Sequence, residues 1–105
     1  MTDNYTLIYT TTNSELNAQE ISKALLEASL IACSNIYSNV NSIYKWEGEI
    51  QSSSEFVLIL KSKAENFSEI ERLILDKHNY ECPVILQIPI LKMNSAYQNY
   101  LKNLL

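Results

Sequence analysis

One histidine, two cysteines and a scatter of carboxylates and aromatic rings are the side chains of this sequence best suited to chemistry. His78 and Cys82 lie close together in His78-Asn79-Tyr80-Glu81-Cys82-Pro83, and Cys33 stands far upstream. Neutral imidazole and thiolate suit copper and zinc, which makes His78 and Cys82 the candidate metal ligands. A tight structural site needs about four convergent donors, more than this set offers. The expectation is weak, surface-type binding of copper or another divalent metal, with no structural metal and no certain cofactor. His78 equally reads as a residue at a helix C-terminus, where positive charge meets the dipole and free carbonyls. Tyr44, Trp46 and Tyr80 could wall a ligand cleft, or pack at a hairpin tip and a subunit seam. Glu55 and Lys61 would bring charge to such a cleft, or lie on a solvated strand face.

Catalysis finds no support. There is no Gly-x-Ser-x-Gly elbow, no His-Glu-x-x-His pair and no base beside a nucleophile. A single glycine excludes a glycine-rich phosphate cradle. The reading is a binding or structural protein, not an enzyme. Formal net charge is −4, and no Lys/Arg cluster reverses it locally, so nucleic acid is not an expected partner. No apolar run approaches the roughly 20 residues of a membrane helix. Met1-Thr2-Asp3-Asn4 lacks the basic start of a secretory signal, and the two cysteines form no CxxC pair. Cytoplasm is the expected location, with both thiols free.

The elements that must position these residues follow from periodicity. At 105 residues the chain makes one domain, residues 1–105. The one glycine and the one tryptophan fall together in Tyr44-Lys45-Trp46-Glu47-Gly48-Glu49-Ile50, between two β-prone arms. Glu47-Gly48 therefore reads as the tip of a long hairpin. Strands are predicted near Tyr5–Thr11, Ile31–Trp46, Ile50–Lys61 and Val84–Leu91, and helices near Ser14–Ser29, Ala64–Lys77 and Asn94–Lys102. Thr12 to Glu15 and Ser62 to Glu65 fit capping boxes, and Asn94 a third cap. Ile36, Val40, Tyr44 and Trp46 share one parity of the first arm. Ser38, Ser42 and Ile43 break its pattern and suggest a bulge or bend. The order β-α-β-β-α-β plus a terminal helix is the ferredoxin-like α+β pattern.

Two helices cover one face of such a sheet. Phe56 to Leu60 and Val84 to Leu91 are apolar on both parities, so the other face also needs a cover. A second copy of the chain would supply it, or the short last helix would fold over it alone.

Three segments carry a family resemblance: Ala32-Cys33-Ser34-Asn35-Ile36, Ser42 to Ile50 around Trp46, and His78 to Pro83. In order and spacing, from about Thr10 to Tyr100, the chain resembles the CutA divalent-ion-tolerance family. The resemblance implies a ferredoxin-like homotrimer with hairpins reaching across subunits, and a role in divalent metal tolerance or response, with copper the associated ion. It implies a cleft drawn from Cys33, Asn35, Tyr44, Trp46, Glu55, Lys61, Tyr80 and Glu81. Glu81 keeps the family position beside Tyr80, although it also reads as a loop carboxylate accepting backbone N–H bonds.

Departures from the family pattern bear on chemistry. Asn79 stands where proline is usual and Val84 where an acid is usual. Thr10 and Lys77 stand where some relatives carry a cysteine and a histidine. A PII-like trimeric sensor is a rival reading, but it would need a basic, glycine-bearing loop for nucleotide phosphates. An RNA-recognition domain would need a basic-Gly-aromatic pattern on a central strand. Neither is present.

Overall fold

The computed structural model describes residues 4–105; Met1 to Asp3, read above for a secretory signal, lie outside them. In chain order it contains β1 (Tyr5–Thr12), α1 (Glu15–Glu27), β2 (Cys33–Trp46), β3 (Glu49–Lys63), α2 (Phe67–Lys77), β4 (Ile85–Pro89) and α3 (Ser95–Lys102). The four strands form one antiparallel sheet in the order β2-β3-β1-β4. This is the predicted ferredoxin-like α+β arrangement. None of the described helices is long and apolar enough to cross a membrane.

Cross-sheet register shows how the sequence serves two faces at once. On the helix side, Ile8 lies between Leu60 and Gln87, and Thr10 lies between Leu58 and Ile85. Ile8, Leu58 and Leu60 are fully buried against Ala18, Ile21 and Leu25 of α1 and Ile70 and Ile74 of α2. On the opposite side, one row runs Leu86–Tyr9–Ile59–Asn35 and the next Ile88–Leu7–Lys61–Cys33. The first of these is apolar except at its edge.

The last helix covers only one end of that second face. Leu101 of α3 is buried, as is Tyr5 at the start of β1. Lys61 Nζ sits 5.5 Å from the Tyr97 ring centroid, and Lys63 Nζ donates to the Leu105 carbonyl at 3.1 Å. Farther along, Leu86 is 50% exposed, Ile88 43% and Tyr37 56%.

Backbone geometry corrects four details. The capping-box reading of Thr12 fails, because Ser14 caps α1 by accepting from Asn17 N–H at 3.0 Å, while Thr12 ends β1. Ser62 does not cap the second helix either. It belongs to β3, donates to the Leu30 carbonyl, and is followed by a 3₁₀ turn over Ala64–Asn66. Asn94 occupies the N-cap position of α3 without a side-chain capping bond. The last strand is shorter than predicted, and Leu91 beyond it is 93% exposed.

A further correction, to the hairpin arm, matters for the site. β2 and β3 slip by one residue between Tyr37 and Val40, where Asn39 takes φ +56°. Before this bulge Ile36 faces the helices opposite Leu58. After it Val40, Tyr44 and Trp46 face the other side, opposite Glu55, Gln51 and Glu49. The single apolar parity predicted for the arm is therefore divided between two faces.

Positive φ is also spread more widely than one glycine suggests. The tip residues Glu47 (φ +51°) and Gly48 (φ +83°) form the expected two-residue hairpin turn. Ser29 (φ +57°) ends α1 by the paired bonds Leu30 N–H to Leu25 O and Ser29 N–H to Leu26 O, a Schellman closure without glycine.

Candidate binding cleft

The bulge in β2 turns the serine and aromatic side of the hairpin toward the loop that follows α2. That loop is clipped to β1 at both ends. At its start His78 Nδ1 accepts the Tyr80 N–H at 3.0 Å, so Nε2 carries the proton and donates to the Thr11 carbonyl at 2.6 Å. At its end the Thr10 hydroxyl donates to the Val84 carbonyl at 2.7 Å. The C-terminus of α2 is held from below: Asn17 Nδ2 donates to the Lys77 carbonyl at 2.9 Å, and the buried Thr12 hydroxyl donates to Asn17 Oδ1.

With its loop fixed, Tyr80 reaches across to the hairpin. Its hydroxyl donates to Glu55 Oε2 at 2.6 Å, and its ring leans on His78 with centroids 4.7 Å apart. Partial burial alone would push the Glu55 carboxyl up. Hydrogen bonds from Ser42, Tyr80 and Thr11, with a smaller contribution from nearby His78, overcome this and hold it below the ordinary carboxylate value. Burial, followed by the hydrogen bond and charge of Glu55, pushes the Tyr80 phenol strongly up, so it remains a donor.

Between hairpin and loop lies a cleft of about 890 Å³, lined by Thr11, Ser42, Tyr44, Trp46, Gln51, Ser53, Glu55, Tyr80, Glu81, Cys82 and Val84 among others. Tyr44 and Trp46 are half-exposed on its hairpin wall. The structure thus brings together Tyr44, Trp46, Glu55, Tyr80 and Glu81 of the predicted set. Cys33, Asn35 and Lys61 lie elsewhere, on the β2–β3 part of the second sheet face. Cys33 Sγ is 3.9 Å from Asn35 Oδ1 and opposite Lys61 in register. Ser42 and Ser53 escaped sequence reasoning because the bulge reverses the hairpin's facing. Asn17 escaped it because a polar residue early in a helix looks solvent-facing.

Both ring nitrogens of His78 are engaged, so ligation would require giving up the Thr11 or Tyr80 bond. Cys82 is an exposed free thiol on the cleft rim. Among the described residues no group of three or more His, Cys, Asp or Glu is arranged to hold a metal ion. The donors present do not form a ready-made metal centre.

The ionised Glu55 has a measurable consequence. A carboxylate whose folded value is depressed stabilises fully above its unfolded value and loses that contribution as pH falls through the folded one. The stability advantage of the parent over Glu55→Gln should therefore be present at neutral pH and fade below about pH 4. Urea midpoints across that range would show it, and a constant difference would contradict it.

A ferredoxin-like sheet with one helix-covered face, one largely open face and a cleft along the hairpin defines the class: a small α+β protein of ferredoxin-like fold. The sequence pattern described as CutA1 divalent ion tolerance protein matches residues 6–104. The divalent-cation tolerance protein CutA of Archaeoglobus fulgidus is 40% identical over 86 residues, spanning 82% of this chain and 83% of that one. The crystal structure of divalent ion tolerance protein CutA1 from Ehrlichia chaffeensis superposes with a TM-score of 0.90 at 36% identity, covering 98% of this chain and 96% of that one. That of Thermus thermophilus gives 0.91 at 33% identity, over 95% and 97% of the two chains. The chain belongs to the CutA1 divalent ion tolerance family. The family match displaces the PII-like sensor reading.

Proposed function

We propose that this chain serves divalent-cation tolerance as a homotrimer, acting as a binding protein and not as an enzyme. The match across residues 6–104 carries the proposal. The apolar row Leu86–Tyr9–Ile59, left open by α3, supports the assembly, since a neighbouring copy would remove it from water. Metal engagement is weak and of surface type, with Cys82 and Glu81 at the exposed rim and His78 reachable only by breaking its own hydrogen bonds. Copper is the ion best matched to thiolate and imidazole. The unpaired thiols of Cys33 and Cys82 fit a reducing compartment, and the cytoplasm is the proposed location.

Growth in excess copper, zinc and cobalt, with and without the chain, tests the role. Tolerance should be lost on its removal and restored by the parent. Titration of the purified protein should show copper binding that dialysis reverses. Stoichiometric metal retained through dialysis, and lost in His78→Ala or Cys82→Ser, would overturn the weak-binding reading and move the function to direct metal chemistry.

A further inference from the structure

Beyond the body of the sheet the hairpin stands as a separate arm. Pairing of β1 with β3 ends at Thr12 and Phe56, so Glu55 is the first residue past that pairing. The slip between β2 and β3 falls at the same level, between Tyr37 and Val40. From Val40 to Glu55 the chain is therefore a two-stranded ribbon, which is marginal in water by itself. Ile43 and Ile50 are exposed on one side of it, and Tyr44 and Trp46 are half-exposed on the other. Apolar groups on both sides suit an arm laid against neighbouring copies.

The root of this arm is tied at one carboxylate. Glu55 accepts from the Tyr80 hydroxyl at 2.6 Å, and also from Ser42 of β2 and Thr11 of β1. The loop that carries Tyr80 is itself anchored, by His78 to the Thr11 carbonyl and by Thr10 to the Val84 carbonyl. The Tyr80 ring leans on His78, which makes it a braced strut between body and arm. Small errors at the root grow along the lever. From Val40 to Trp46 the ribbon runs roughly 20 Å at the usual strand rise. A swing of about 10° at the root would carry the tip about 3–4 Å, one residue's rise along a strand. A ring of identical subunits closes only if each interface repeats the same rotation, and a wrong rotation leaves open chains.

We propose that the Tyr80–Glu55 hydrogen bond is a latch that aims the hairpin arm, and that closure of the three-chain ring depends on it. Tyr80 is the positioning residue, acting through the Glu55 carboxylate. The closure step rests on the homotrimer reading, whereas the latch is a property of one chain and is tested in one.

Spin labels at Lys45→Cys near the tip and Glu20→Cys on α1 report the arm's direction; both positions are exposed, and Cys33 and Cys82 are changed to serine. The measurement is made in the Ile59→Asp chain, which holds the open face as a monomer. Tyr80→Phe keeps the ring and loses the donor, and should broaden the distance distribution by about 3 Å or more. Glu55→Gln, whose amide oxygen still accepts from Tyr80, should fall between the two. The double variant should be little broader than Tyr80→Phe alone, because both changes act through one bond. With Ile59 restored and no labels, Tyr80→Phe should dissociate at about tenfold higher concentration than the parent in sedimentation. Circular dichroism identifies any variant that fails to fold, and Glu55→Gln then carries the same comparison. Equal widths with and without the Tyr80 hydroxyl would overturn the latch. A broadened arm with unchanged dissociation would overturn its link to closure. A monomeric parent would remove the homotrimer and the closure step with it, while the width comparison would still decide the latch.

Discussion

Replacing Ile59 with aspartate is expected to turn the proposed three-chain particle into a folded monomer. Ile59 lies at the centre of the row Leu86–Tyr9–Ile59–Asn35, on the side of the sheet that the helices do not cover. In a single chain it is only half-buried and outside the central core cluster, so a carboxylate there can reach water. In an assembly that covers this face the same carboxylate would be buried without a partner, which costs about 3 kcal/mol or more per copy. The substitution should therefore act on association and leave the helix-side core of Ile8, Leu58 and Leu60 intact. Sedimentation should show the loss of mass, and circular dichroism should show unchanged secondary structure. A variant that keeps the parent mass would place Ile59 outside the seam.

The second large effect is expected at Asn17. Its side chain joins α1 to the end of β1 and to the C-terminus of α2, accepting from the Thr12 hydroxyl and donating to the Lys77 carbonyl. Asn17→Leu would leave two partly or fully buried polar groups without partners, each at about 1–3 kcal/mol. The melting temperature should fall by roughly 10 °C or more for a domain of this size. Thr12→Val in the same chain should recover part of the loss, because it removes one of the orphaned groups. That non-additivity distinguishes a broken hydrogen-bond network from a simple clash. Losses that merely add would show that Thr12 and Asn17 act separately.

The tip, the order of elements and the family were legible because each rests on local signals. Gly48 beside Glu47 marks a turn that only a few backbone shapes satisfy, and the apolar runs of β3 and β4 announce a sheet with two faces to cover. Asn39 was less readable. Its positive φ reverses the facing of β2, and nothing in Ser38-Asn39-Val40 fixes which residue bulges. The caps were misread for a related reason. Thr12 and Ser14 are both competent N-caps, and only the end of the strand pairing with Phe56 decides between them. His78 was visible as chemistry, whereas its service as a clip between the Thr11 carbonyl and the Tyr80 amide depends on contacts 67 residues apart in sequence. The cleft separated in the same way. Tyr44, Trp46, Glu55, Tyr80 and Glu81 line one cleft because the bulge turns that side of the hairpin toward the loop. Cys33, Asn35 and Lys61 precede that bulge or pair with the strand before it, so they stay on the sheet.

The solution mass of the unmodified protein tests the central claim most directly, because the open face of the sheet is what the fold leaves unfinished. Sedimentation equilibrium at micromolar concentration should report a single species near three chains. A stable monomer there would contradict the account, since Leu86, Tyr9 and Ile59 would then face water with no partner to cover them.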